Sequence, residues 1–264
     1  RIGPASLKQA HPDLDAIRMA NVFASSDQGR SWVRRGGVVF PKSDFDEHMI
    51  VELRDGRLWM LARTTYGMAE SFSADQGRTW SEPKPSAIQN VNARFFIRRL
   101  SSGRLLLVKN GPTDQRLTRR SHMTAFLSDD EGKTWKGGLV LDERASVSYP
   151  DGFQAPDGLI HILYDWNRHS DAEILLARFR EEDVVSGEFK SADARARMPV
   201  NKALGVDWNR RAAADAKRDR TNVPYDGKKP DSMVCDTMVR ELPDGSWALF
   251  LLAGPAVATA EPAP

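Results

Sequence analysis

Ser73-Ala-Asp75-Gln-Gly77-Arg-Thr79-Trp80 decides the fold, because the chain writes this stretch three times. The other copies are Ser25-Ser-Asp27-Gln-Gly29-Arg-Ser31-Trp32 and Ser128-Asp-Asp130-Glu-Gly132-Lys-Thr134-Trp135. Their starts lie 48 and then 55 residues apart, and such internal periodicity marks a repeat architecture. The residue types describe a rigid hairpin tip. An Asp at a turn start accepts backbone N–H bonds, a Gly two residues later takes a positive φ, and the Trp packs back over the turn.

A second repeat lies around these tips. Two β-rich runs flank a Gly turn at Asp55-Gly56, Ser102-Gly103, Asp157-Gly158 and Asp244-Gly245. That is a hairpin signal. The run after each turn is almost wholly apolar, as in Leu105-Leu-Leu-Val108, which predicts a strand covered on both faces. Hairpin, third strand, capped tip and fourth strand make four antiparallel strands in about 50 residues, the pattern of a β-propeller blade.

The count predicts four to five blades: a partial one ending near Phe40, two full ones, one around 149–190, and a start near 231. The expected organisation is propeller blades over 1–190, a polar, partly helical insertion or linker over 191–230, and a further strand pair with a tail over 231–264. A six-bladed ring of such repeats needs roughly 300 residues, so the expectation is an incomplete ring lacking N-terminal blade material.

Composition narrows the function. The 264 residues carry 38 Lys plus Arg against 36 Asp plus Glu, a net charge of +2, without the basic excess of a nucleic-acid binder. No apolar run reaches the roughly 20 residues of a membrane helix. The lone Cys235 excludes an intramolecular disulfide and a Cys-rich zinc site, and neither the five His nor any loop spacing implies a metal or organic cofactor. Oligomeric state and compartment are not readable from these features.

The three tips match the Asp-box, Ser-x-Asp-x-Gly-x-Thr-Trp, and over residues 20–185 the chain resembles the BNR-repeat sialidase-like superfamily. The resemblance implies a six-bladed propeller in which the boxes are structural. It also implies an exo-acting glycosidase that binds the carboxylate of a terminal anionic sugar, sialic acid or a relative, with arginines. A Tyr activated by a Glu then attacks the anomeric carbon. A glycan or glycoconjugate substrate and a secreted or periplasmic location follow from the same resemblance.

Residue by residue, the family pattern falls on Glu47 as the activating carboxylate and Arg63 as one carboxylate anchor. Arg120 is the next anchor, with Arg119 adjacent, and Tyr149 in Ser148-Tyr149-Pro150-Asp151 is the nucleophile. On the residues alone, Tyr149 could be a core aromatic, Glu47 a surface acid, Arg63 one half of an ion pair and Arg120 a solvated loop cation. Arg168 and Asp165 form a further cluster that could reach the pocket or pair with each other. The family's first Arg and its acid/base Asp have no clear counterpart. Arg1-Ile2-Gly3-Pro4 is a superficial likeness, and Asp13, Asp15 and Asp44 lack motif support. Two other readings follow: a carbohydrate-binding propeller without turnover, and a lyase or hydrolase acting on uronate polysaccharide, for which His48 and His122 are candidate partners.

Overall fold

The computed structural model describes residues 19–43 and 47–202, together with the backbone of two later strands. The chain divides into two compact units, 1–201 and 202–264. The architecture is all-β, with antiparallel sheets arranged as propeller blades.

The first unit holds β1 (Ala20–Ala24) and β2 (Val33–Val38) as a pair, followed by three four-stranded sheets. The first comprises β3 (His48–Glu52), β4 (Leu58–Thr64), β5 (Gly67–Ser73) and β6 (Lys84–Pro85). The second comprises β7 (Phe96–Arg99), β8 (Leu105–Asn110), β9 (Met123–Ser128) and β10 (Lys136–Asp142). The third comprises β11 (Val147–Gln154), β12 (Ile160–Trp166), β13 (Glu173–Phe179) and β14 (Arg195–Lys202). Strand order within each sheet is chain order, as a meander requires. The leading strands β3 and β7 pack side by side, and so do β7 and β11. In the second unit, β15 (Thr237–Glu241) pairs antiparallel with β16 (Trp247–Leu251).

The apolar runs behave as strands covered on both faces. Met60 and Ala62 of β4 pack with Val22 and Phe40 beside the first pair, while Trp59 and Leu61 face Phe95 and Leu107 of the next sheet. In β8, Leu105 and Leu107 join that same layer, while Leu106 and Val108 turn to Ile160 and Tyr164 of the third sheet. Alternation along one strand therefore feeds two cores, which removes any need for a polar face.

Each tip closes as its residue types dictate. Asp75 accepts the Thr79 hydroxyl at 2.6 Å and the Thr79 N–H at 2.8 Å, Ser73 Oγ accepts the Gly77 N–H at 2.8 Å, and Trp80 Nε1 donates to the Gly77 carbonyl at 3.1 Å. The bonds to the Asp carboxylate and to the Ser Oγ recur around Asp27 and Asp130, whereas the Trp bond recurs only at Trp32: Trp135 Nε1 is buried without a hydrogen-bond partner among the described residues. The hydroxyls of Ser31 and Thr134, with further donors, hold those two carboxyls down to about 2, and Thr79 lowers Asp75 in the same way.

The third sheet reaches a similar end by another route. A short helix, Glu181–Ser186, follows β13, and its buried Asp183 accepts the Ser191 N–H and hydroxyl at 2.7 and 2.6 Å and the Lys190 N–H at 2.7 Å. Residues 195–202 lie inside the stretch expected to be a polar insertion, and they supply the outer strand β14. Its Arg-rich, largely exposed sequence suits an edge strand. Of the rest of that stretch, 191–194 lead into β14 and 203–230 lie outside the described residues. Among the described residues, no helix is long and apolar enough to cross a membrane.

The third tip also locks two sheets together. Gly132 has φ +79°, and a Cβ there would lie 2.4 Å from the ring of Trp59. Trp59 is buried and stacked on Phe72, so it has little room to yield. Gly132→Ala is expected to destabilise the first unit by about 2 kcal/mol through φ strain and overpacking. Chemical denaturation of wild type and variant measures this; an unchanged midpoint would show that the contact does not hold the sheets.

Candidate functional site

The hairpin repeat places one residue of each sheet at the same point. Seven residues after the turn glycines Gly56, Gly103 and Gly158 stand Arg63, Asn110 and Asp165, each at or near the end of its second strand. Each of these side chains ties down residues around Tyr149.

Arg63 is only 4% exposed. Its Nη1 donates to Glu47 Oε2 at 2.8 Å and to the Tyr149 hydroxyl at 3.3 Å, and its Nε donates to Asn92 Oδ1 at 2.6 Å. The Tyr149 hydroxyl donates to the other Glu47 oxygen, Oε1, at 3.0 Å. Glu47, Arg63 and Tyr149 thus close a three-membered ring of hydrogen bonds, although 102 residues separate the phenol from the carboxylate. The Arg63 N–H also donates to the Glu47 carbonyl at 2.8 Å, which fixes the start of β3 against the end of β4.

Tyr149 reaches this position through a break in its strand. Ser148 pairs with Asp165 and Asp151 with Leu163, so β11 carries one extra residue at that point. Tyr149 takes φ +54°, a region an aromatic residue rarely occupies. Bulges of this kind re-aim a side chain and concentrate next to functional sites. Asp151 accepts the Gly152 N–H at 2.8 Å, a turn-capping contact.

Positive charge surrounds the ring. The guanidinium carbons of Arg168, Arg120 and Arg94 lie 4.3, 5.8 and 5.8 Å from its centroid. Arg120 donates to the Asn92 carbonyl at 3.1 Å and to Ser148 Oγ at 3.3 Å. Burial, together with the neighbouring cations Arg63 and Arg168, pulls the Arg120 guanidinium down, while Tyr149 and Asp165 act in the opposite sense. It remains a cation, as guanidinium groups do in proteins. Arg119 is exposed, and Arg120 is the member of the pair that stands over the Tyr149 ring.

Ser148 Oγ also accepts from Arg168 at 3.0 Å and donates to Asp165 at 2.7 Å, and Arg168 pairs with Asp165 at 2.5 Å. The two possibilities for this cluster therefore coexist: Arg168 forms an ion pair and covers the Tyr149 ring. Asn110 contributes from behind, its Nδ2 donating to the carbonyls of Ser121 and Val147 at 3.0 and 3.1 Å. It joins the segment bearing Arg120 to the strand bearing Tyr149.

All four residues expected from the sequence come together, Glu47, Arg63 and Tyr149 in direct contact and Arg120 over the ring. Asn92 and Arg94 were not foreseen. Their signal was a polar Asn90-Val-Asn92-Ala-Arg94 segment just ahead of an apolar strand. His48 bonds the Asn21 carbonyl at 3.0 Å and His122 bonds Ser121 Oγ at 3.0 Å. Asp13, Asp15, Asp44 and Arg1-Ile2-Gly3-Pro4 lie outside the described residues.

Comparison with known proteins follows the same lines. Residues 9–162, more than half of the chain, match the BNR repeat-like domain. A comparison with curated protein sequences finds no match. Among solved structures, the chain is similar to the NanB sialidase from Streptococcus pneumoniae, with 22% identity over 62% of this chain and 28% of that one and a TM-score of 0.49. It is similar to the intramolecular trans-sialidase from Ruminococcus gnavus, with 24% identity over 62% of this chain and 38% of that one and a TM-score of 0.49. A protein of unknown function from Dyadobacter fermentans aligns over 87% of this chain and 63% of its own, at 15% identity and a TM-score of 0.47. The chain spans less than two thirds of each of these proteins.

Proposed function

The chain belongs to the BNR repeat-like domain family of the sialidase-like superfamily, and from that membership we propose that it is an exo-acting glycosidase for a terminal, carboxylate-bearing sugar. The observation that carries the reading is the hydrogen bond from the Tyr149 hydroxyl to Glu47 beside the buried Arg63.

In the proposed reaction, Arg63 and Arg120 hold the sugar carboxylate, since planar guanidinium groups match it in shape and charge. The Tyr149 oxygen forms a bond to the anomeric carbon as its proton passes to Glu47. The bond to the leaving oxygen breaks, and that oxygen takes a proton from an acid. Water then attacks the anomeric carbon and gives its proton to the carboxylate left by that acid, the bond from the sugar to the Tyr149 oxygen breaks, and the tyrosyl oxygen recovers its proton from Glu47. A neutral phenol approaches an anionic sugar at lower electrostatic cost than a second carboxylate would. Asp13, Asp15 and Asp44 are the candidates for the acid. The blade segment 1–190 together with β14 is proposed as the catalytic body, with the rest of 191–230 as an insertion or linker and 231–264 as further propeller material.

A panel of fluorogenic glycosides of sialic and uronic acids tests the class. Release from at least one anionic glycoside is expected, and Glu47→Gln should slow it by about 100-fold through loss of the base. Release from neutral glycosides only, or no effect of Glu47→Gln, would overturn the reading.

A further inference from the structure

A cavity of about 310 Å³ lies beside Tyr149, walled by Arg119, Arg120, Ser148, Asn167, Arg168 and His169 among others. Glu47, Arg63 and Tyr149 are not among its walls, and it adjoins the space at the phenolic oxygen across Arg120 and Arg168. Three guanidinium groups line it, and among the described residues no carboxylate does. The nearest acid in the network, Asp165, is engaged by Arg168 and Ser148. Arg119 makes no hydrogen bond or ion pair among the described residues, which leaves its fork of donors available.

The rim of the cavity is held in place by the backbone. The Ser146 N–H donates to the Arg120 carbonyl at 2.8 Å, and the Asn167 N–H donates to the Ser146 carbonyl at 3.0 Å. Ser146 and Asn167 both take positive φ, +67° and +48°. Both residues therefore hold the chain in the left-handed region at one rim, a conformation Asn tolerates better than Ser. Asn167 is braced further by its side chain, which donates to Asp171 at 2.5 Å.

We propose that this cavity is a second anion subsite, taking a sulfate or carboxylate group that the glycan carries elsewhere than on the sugar attacked by Tyr149. Arg119 and Arg168 supply the charge-assisted bonds, and Arg120 stands between the two anions. The substrate class is then a polyanionic glycan rather than one with a single terminal charge. This rests on the glycosidase reading only for the identity of the molecule that bears the anion. Binding of the anion itself does not depend on turnover.

The test uses crystals of the full chain grown in chloride and soaked in sodium selenate. An anomalous peak is expected within hydrogen-bond reach of Arg119 and Arg168, and it should be lost in Arg119→Gln and in Arg168→Gln. In solution, sodium sulfate and sodium glucuronate are compared with chloride at matched ionic strength. Each variant should weaken the preferred anion by on the order of tenfold, as expected for one charge-assisted bond. A preference for sulfate assigns a sulfated glycan, and a preference for glucuronate a uronate-bearing one. Arg119 is exposed and unpartnered, so its variant keeps the test valid if Arg168→Gln disturbs the Asp165 pair. A cavity without selenate, or the same affinity in wild type and both variants, would overturn the subsite. Tyr149→Phe should still bind selenate, so failure of the nucleophile and failure of the subsite give different results.

Discussion

Replacing Tyr149 by Phe is expected to lower turnover of an anionic glycoside by about 1,000-fold or more while leaving the fold intact. The substitution removes one oxygen. It keeps the ring that Arg168 covers and the volume that the bulge presents. Lost with the oxygen are the nucleophile and two hydrogen bonds, one donated to Glu47 and one accepted from Arg63. Those bonds, both to charged partners, contribute about 1.5–3 kcal/mol each, and Glu47 and Arg63 still hold each other at 2.8 Å. Initial rates and a denaturation curve on the same preparation separate chemistry from folding. Equal rates would remove Tyr149 from the mechanism. A propeller that retains anionic glycans without releasing product would instead be a binding module.

Lys109→Met is expected to destabilise the first unit by about 2 kcal/mol at pH 7, and by more at pH 9. Lys109 is fully buried at the end of β8, and its Nζ donates to the carbonyls of Asn110, Gly111 and Pro112 at 2.8, 2.7 and 2.7 Å. Those bonds shape the turn that leads into the loop carrying Arg119 and Arg120. Burial pushes the ammonium down to about 7 from an ordinary value of 10.5. Between these two values the unfolded chain holds a proton that the folded chain has released. Stability from this group is therefore full above pH 10.5 and is lost as pH falls towards 7. At pH 9 the neutral amine still donates two of the three bonds, so Met orphans carbonyls at both pH values and also removes the titration, and its deficit grows with pH. Denaturation at pH 7 and pH 9 gives the two differences. A deficit that shrinks with pH would mean the ammonium is stabilised in the fold.

The fold was legible because its signals are local. Box residues close bonds within five positions of one another, and the strands feeding two cores show as unbroken apolar runs. The third sheet was harder, because Asp183 on a helix replaces a box, and because β14 is polar for the ordinary reason that it lies at an edge. In the site, Glu47, Arg63, Arg120 and Tyr149 could be singled out only through the family resemblance; the residues alone left core, surface and ion-pair roles open. Asn92 could not, since it acts through one side-chain bond to Arg63 and one carbonyl bond to Arg120 and belongs to no repeat. The shared position of Arg63, Asn110 and Asp165 was present in the sequence as a fixed distance from three turn glycines. Only the geometry gave it meaning, because the three side chains bond to consecutive residues of β11: Asn110 to Val147, Asp165 to Ser148 and Arg63 to Tyr149.

The covalent intermediate tests the central claim most directly. The full chain is incubated with a fluorinated, carboxylate-bearing glycosyl fluoride, which forms the sugar–enzyme bond quickly and breaks it slowly, and is then digested for mass spectrometry. One sugar is expected on the peptide containing Tyr149, absent from Tyr149→Phe. A sugar bound to another side chain, or none in a preparation that turns over the parent glycoside, would contradict the assignment of the phenol as nucleophile.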